Sequence, residues 1–139
     1  MAGGVGTDIV EVGRIAALMR DRGTVFLERW FTAEEIGYCA GKAVPSRHFA
    51  ARFAAKEAVA KALPVAWDGP LPWRSIEIVN DPRGVPSVSL SGAIQDAASR
   101  AGVGEIRVSL SHCDQYATAI ALVAVTGDGA KTTEPWSRT

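Results

Sequence analysis

Between Arg52 and Leu63 the chain reads RFAAKEAVAKAL, a run in which alanine is the commonest residue and three cations accompany one carboxylate. Alanine, leucine, lysine, arginine and glutamate are strong helix formers, and nothing interrupts the run until Pro64, which cannot continue a helix. A helix is therefore expected from about Ser46, whose hydroxyl can cap its start, to Leu63. Small side chains let such a helix lie very close to a sheet, so the rest of the chain has to supply strands for it to pack on.

Strand signals occur on both sides of this helix. Residues 5–12, VGTDIVEV, are rich in β-branched residues and read as a strand that runs into a helix, RIAALMRDRG, closed by Gly23. Thr32-Ala33-Glu34-Glu35 has the form of a capping box and opens a short helix ending near Gly41. Residues 64–73, PVAWDGPLPW, hold three prolines and a glycine and read as a loop. SIEIV at 75–79, the turn NDPRG and VPSVSL form a hairpin. Ser91 can cap a helix over GAIQDAASRAG, and EIRVSLS (105–111) and ATAIALVAV (117–125) are two further strands separated by HCDQY. The order β-α-α-α-β-β-α-β-β, with helices in a block and strands in hairpins, predicts an α+β domain over residues 1–126, its helices packed on a mainly antiparallel sheet. Residues 127–139 are polar and aperiodic and read as a frayed tail.

Composition narrows the function. With 15 basic and 15 acidic residues the formal net charge is zero, so no global field draws the chain to nucleic acid or to an anionic membrane, and neither is expected as a partner. No apolar run approaches the roughly 18 residues of a membrane span. Cys39 and Cys113 lack metal-ligand spacing and read as reduced thiols of a cytoplasmic protein.

The common catalytic signatures GxxxxGK[ST], GxGxxG, CxxC, HExxH and GxSxG are missing, which leaves carboxylates and cations. Phe49, Phe53, Glu57 and Lys61 follow at i, i+4 spacing along one helical ridge, with Arg52 and Lys56 in the adjacent row. Two readings stand side by side: core phenylalanines followed by an exposed Glu57–Lys61 pair, or a carboxylate and an ammonium delivered to a site. Asp8 is equally open, either capping the next helix or joining Glu57 to hold a hard Mg2+ ion that takes its other ligands from water and phosphate. His112, where a strand ends in hydroxyl residues, is either a surface group or a phosphate contact. His48 has no functional signal. Arg14, Arg20, Arg22 and Arg29 gather local positive charge, either a solvated helix face or a patch for an acidic partner, while Trp67 and Trp73 suggest a hydrophobic lid or interface.

Three separated motifs carry a family resemblance. GVGTDIVEV at 4–12 with Arg14-Ile15, Phe49 followed by RFAAKEA at 52–58 and Lys61-Ala62, and VSLSH at 108–112 with Tyr116-Ala117 and Ala119 resemble, in order and spacing, the motifs of the holo-acyl-carrier-protein synthase (AcpS) type of 4'-phosphopantetheinyl transferase. The likeness covers about residues 4–125. It implies that fold, and transfer of the 4'-phosphopantetheine arm of coenzyme A to a serine of an acyl carrier protein of fatty acid or polyketide synthesis, releasing adenosine 3',5'-bisphosphate. It also implies Mg2+, or Mn2+, on Asp8 and Glu57, with Glu57 as base and Lys61 serving the leaving phosphate. Arg52, Lys56, Ser111 and His112 become contacts for coenzyme A phosphates, and the Gly84–Pro86 turn lines the nucleotide. Arg14, Arg20 and Arg22 then meet the acidic carrier, and a homotrimer with active sites at subunit boundaries is expected. The chain departs from the family after Leu63, where a proline-rich loop replaces a short glycine-threonine-glycine segment. Competing classes are a non-catalytic module that binds coenzyme A or a carrier and, less compatible with zero net charge, an RNA-binding module.

Overall fold

Residue alternation in the first strand shows how sheet and helix meet. The computed structural model describes residues 3–126, and the expected tail over 127–139 lies outside them. Strand β1 (Gly4–Glu11) turns Gly6, Asp8 and Val10 inward, while Val5, Thr7 and Ile9 face outward. It pairs antiparallel with β5 (Tyr116–Val125), which pairs antiparallel with β4 (Val103–His112), giving a sheet of order β1-β5-β4. On the inner face of this sheet lies helix α3 (Pro45–Ala62), which is buried almost all round. The close approach expected of its alanines is matched by glycine from the strand: a Cβ added at Gly6 would collide with the Ala58 carbonyl, and one at Gly4 with the Ala62 carbonyl.

The other elements enclose α3. Helix α1 (Val12–Trp30) and helix α2 (Ala33–Ala40) precede it, and the hairpin β2 (Ile76–Asn80) and β3 (Pro86–Leu90) follows as a separate two-stranded sheet, entered through a 3-10 turn at Trp73–Ser75. Helix α4 (Gly92–Arg100) then leads to β4. Trp30 stacks between Phe53 and Trp73, at ring-centroid distances of 4.0 and 4.2 Å, and so fastens the end of the proline-rich loop to α1 and α3. Trp73 is thus part of the packing, not a free lid.

Several local expectations are corrected. Gly23, with φ 51°, closes a first helical stretch as expected, because only glycine takes such a positive φ at low cost; what was not expected is the second helical stretch that follows the kink and runs to Trp30. α3 begins with Pro45, whose ring presets the helical φ at the first position, so Ser46 is inside the helix and caps nothing. Ser91 stands at the N-cap of α4 without a side-chain cap bond. Asp8 is not a helix cap, since β1 continues to Glu11 before α1 starts. The Thr32–Glu35 capping box is present with both of its hydrogen bonds.

Candidate active site

Asp8 and Glu57 meet because β1 and α3 are in backbone contact. The Asp8 side chain is only 15% exposed, and Lys61 lies 3.2 Å from its Oδ1 while donating to the Thr7 carbonyl at 3.0 Å. Lys61 therefore pairs with Asp8, which replaces the alternative of an exposed Glu57–Lys61 pair. One turn before Lys61, the half-buried Glu57 carboxyl is held above its ordinary pKa, chiefly by desolvation and then by the negative charge of Asp8, against the pull of Lys61 and Arg14. Two carboxylates that repel each other in a partly dry place are short of positive charge. Oxygen donors of this number suit Mg2+, which keeps several positions for water and phosphate, and no cluster of three or more His, Cys, Asp or Glu that could hold a metal occurs among the described residues. Asp8 and Glu57 could hold such an ion as its protein ligands.

A second group of charges gathers near the start of α3. His48 packs edge-on to His112, with ring centroids 4.9 Å apart. Burial, followed by His112, Arg52, Lys42 and Arg47, holds the His48 imidazole below its ordinary pKa. This crowd of cationic and imidazole groups in a neutral chain is a place for an anion. Lys42 and Arg52 both lie over the ring of Tyr38, at 4.2 and 4.3 Å. Arg52 is buried, donates to Asn80 Oδ1 and leaves its Nε without a partner. Asn80 in turn donates to the Gly84 carbonyl at 3.0 Å, so Arg52 is tied to the Gly84–Pro86 turn. Gly84 holds φ 85° there, and Asp81 accepts from the Arg83 and Val85 amides across the same turn.

Not every expected contact assembles. Lys56 is no phosphate ligand: its side chain is 0% exposed and is engaged with Glu35 and two backbone carbonyls. Ser111 and His112 are neighbours in sequence but point to opposite faces of β4; His112 is on the α3 side, whereas Ser111 joins Thr7 and Thr118 around a 160 Å³ pocket on the outer side. Arg14, Arg22 and Arg29 border a 240 Å³ groove floored by Leu18, Phe26 and Phe53, with Arg14 lying 5.6 Å over the Phe53 ring. Arg20 is outside that groove and pairs with Asp21 at the surface. Sequence reasoning missed His48, Lys42 and Asn80. Only His48 carried a signal, its i, i+4 spacing to Arg52 on α3.

Known proteins resemble the chain over most of its length. The family model of the 4'-phosphopantetheinyl transferase superfamily matches residues 4–121. The chain is 42% identical over 119 residues to a holo-[acyl-carrier-protein] synthase of Protochlamydia amoebophila, covering 86% of this chain and 95% of that one. It is 46% identical over 118 residues to the synthase of Moorella thermoacetica, covering 85% and 91%. Among solved structures, the Helicobacter pylori holo-[acyl-carrier-protein] synthase in complex with coenzyme A superimposes with a TM-score of 0.75 at 32% identity, over 86% of this chain and 99% of that one. The Neisseria meningitidis synthase gives 0.80 at 32%, over 89% and 99%. The matched span holds Asp8, Glu57, Lys61 and the groove on α1 together, and the chain belongs to the 4'-phosphopantetheinyl transferase superfamily, among its holo-[acyl-carrier-protein] synthases.

Proposed function

We propose that the protein transfers the 4'-phosphopantetheine group of coenzyme A to a serine hydroxyl of an apo acyl carrier protein and releases adenosine 3',5'-bisphosphate, with Mg2+ as cofactor. The observation that carries this reading is the Asp8–Glu57–Lys61 cluster. Mg2+ or Mn2+ bound by Asp8 and Glu57 would offset pyrophosphate charge. Glu57, whose carboxyl is biased toward holding a proton, is the group to take one from the carrier serine. Lys61 is half exposed, so it can leave Asp8 and donate to the departing phosphate at little cost. Lys42 would supply positive charge for a phosphate of the nucleotide and the His48 and His112 imidazoles N–H donors, and the Gly84–Pro86 turn tied to Arg52 would border it.

The α1 groove suits an acidic amphipathic helix, as carrier proteins present: arginines orient it and the apolar floor receives its hydrophobic residues. Incubation with coenzyme A, Mg2+ and apo carriers of fatty acid and polyketide synthesis should add the phosphopantetheine mass to a carrier. In the same assay Arg22→Glu should raise KM for the carrier about tenfold or more, leaving KM for coenzyme A unchanged. No added mass on any carrier would overturn the reading, and metal-dependent coenzyme A binding without turnover would favour a non-catalytic binding module.

The outer face of the sheet exposes Val5, Ile9, Ile120 and Leu122, at 61%, 66%, 42% and 52%, an apolar surface that calls for cover. A homotrimer built on this face would place Ser111 and its pocket at the subunit boundary. Sedimentation should give a trimer that Leu122→Glu converts to monomer; a monomeric wild type would remove the assembly. We place the enzyme in the cytoplasm, and no helix among the described residues is long and apolar enough to cross a membrane.

A further inference from the structure

The buried ion pair beside Glu57 joins four elements that the reaction does not otherwise connect. Lys56 Nζ donates to Glu35 Oε1 at 2.9 Å, to the Trp73 carbonyl at 2.9 Å and to the Ile76 carbonyl at 2.6 Å, which uses all three of its protons. Glu35 accepts in addition from the Thr32 amide and, through Oε2, from the Ile78 amide, both at 2.8 Å. Between them the two side chains hold backbone groups at both ends of the Ile76-Glu77-Ile78 segment of β2. Thr32 Oγ1 adds a bond to Glu77 Oε2 at 2.6 Å. Two residues beyond Ile78, Asn80 reaches Arg52 on α3 and the carbonyl of Gly84.

This arrangement does more than packing requires. β2 and β3 form a two-stranded sheet that is not hydrogen-bonded to the three-stranded one, and a lone hairpin is marginal in water. Core burial of Ile76 and Ile78 holds it in place, and the bonds from Lys56, Glu35 and Arg52 add direction to its placement against α3. A buried ion pair adds little net stability over well-packed apolar residues, and its best-supported use is to fix one arrangement among several.

We infer that Glu35 and Lys56 are positioning residues for coenzyme A, acting through β2 and Asn80 to hold the Gly84–Pro86 turn in fixed relation to Arg52 and the α3 site. The inference rests on the reading that this turn borders the nucleotide.

The deciding protein is the double variant Glu35→Leu/Lys56→Met. Replacing both charges by apolar groups of similar size should restore stability that either single change loses, because no lone buried charge remains. The Trp73 and Ile76 carbonyls nonetheless lose their donor, and the Thr32 and Ile78 amides their acceptor. With positioning, the double variant stays folded with a denaturant midpoint above that of Lys56→Met alone, yet its Kd and KM for coenzyme A rise about tenfold, equivalent to about 1.4 kcal/mol, with kcat at saturating coenzyme A within about threefold. Amide exchange at residues 76–86 should speed up while that of α1 does not. Lys56→Arg, which keeps the charge, should recover part of the affinity. A double variant that is stable and binds coenzyme A with wild-type Kd and exchange would overturn the inference, whether or not Lys56→Met alone folds. If the wild type binds coenzyme A but transfers nothing, the transfer reading fails, and the variants' Kd still decides this one.

Discussion

Glu57→Gln should lower transfer by about 10²–10⁴-fold while the protein remains folded. Glutamine keeps the shape and a carbonyl oxygen but can neither accept the serine proton nor give anionic charge to a metal. The wild-type carboxyl is raised in pKa because desolvation and Asp8 together outweigh the attraction of Lys61 and Arg14, so a neutral side chain relieves more penalty than it forfeits. Thermal unfolding of the variant should accordingly match or exceed that of wild type. The carrier mass assay supplies the rate, and turnover within tenfold of wild type would take Glu57 out of the mechanism.

The second large effect is expected at a glycine beside the carboxylates that carries no polar group of its own. In Gly6→Ala the new Cβ runs into the Ala58 carbonyl, a backbone group that cannot rotate away, so β1 has to withdraw from α3. Asp8 lies two residues further along the same strand and would be drawn off with it. A loss of about 3 kcal/mol is expected, at the upper end of the usual range for core overpacking because the obstacle is backbone, with the surviving folded fraction poor in Mg2+-dependent transfer. Gly37→Ala is the matched control: it sits inside α2 with nothing within 4 Å of an added Cβ, and should be neutral or stabilising by up to about 1 kcal/mol. Denaturant midpoints of the two variants test the claim, which a wild-type midpoint for Gly6→Ala would end.

Much of the fold could be read from local chemistry. The Thr32–Glu35 capping box, the stop at Pro64 and the hairpin between Ile76 and Leu90 depend on short-range geometry, and each stands where the residues place it. Gly23 closes the first helical stretch as its residue type suggests; the second stretch beyond it was not legible, since it depends on whether the chain there finds something to pack on, as Phe26 and Trp30 do. Lys56 was misread for a different reason. A helix with alanine spread over every face has no clear apolar stripe to mark an inside, so Arg52, Lys56 and Lys61 look equally exposed until neighbours close over the first two. Glu35 hid behind its own capping box, which accounts for the residue locally and leaves its bonds to Lys56 and Ile78 unforeseen.

The sequence by itself determined the family, the identity of the two carboxylates and the lysine, and the need for a close helix–strand contact, because these reside in residue type and spacing along single elements. Only the tertiary structure decided that Lys61 pairs with Asp8, that Ser111 and His112 serve opposite faces of one strand, that His48 joins a cationic site, and that Lys56 is an internal brace. Those outcomes depend on which surfaces meet. Meeting is governed by packing between segments distant in the chain, which no spacing within one segment encodes.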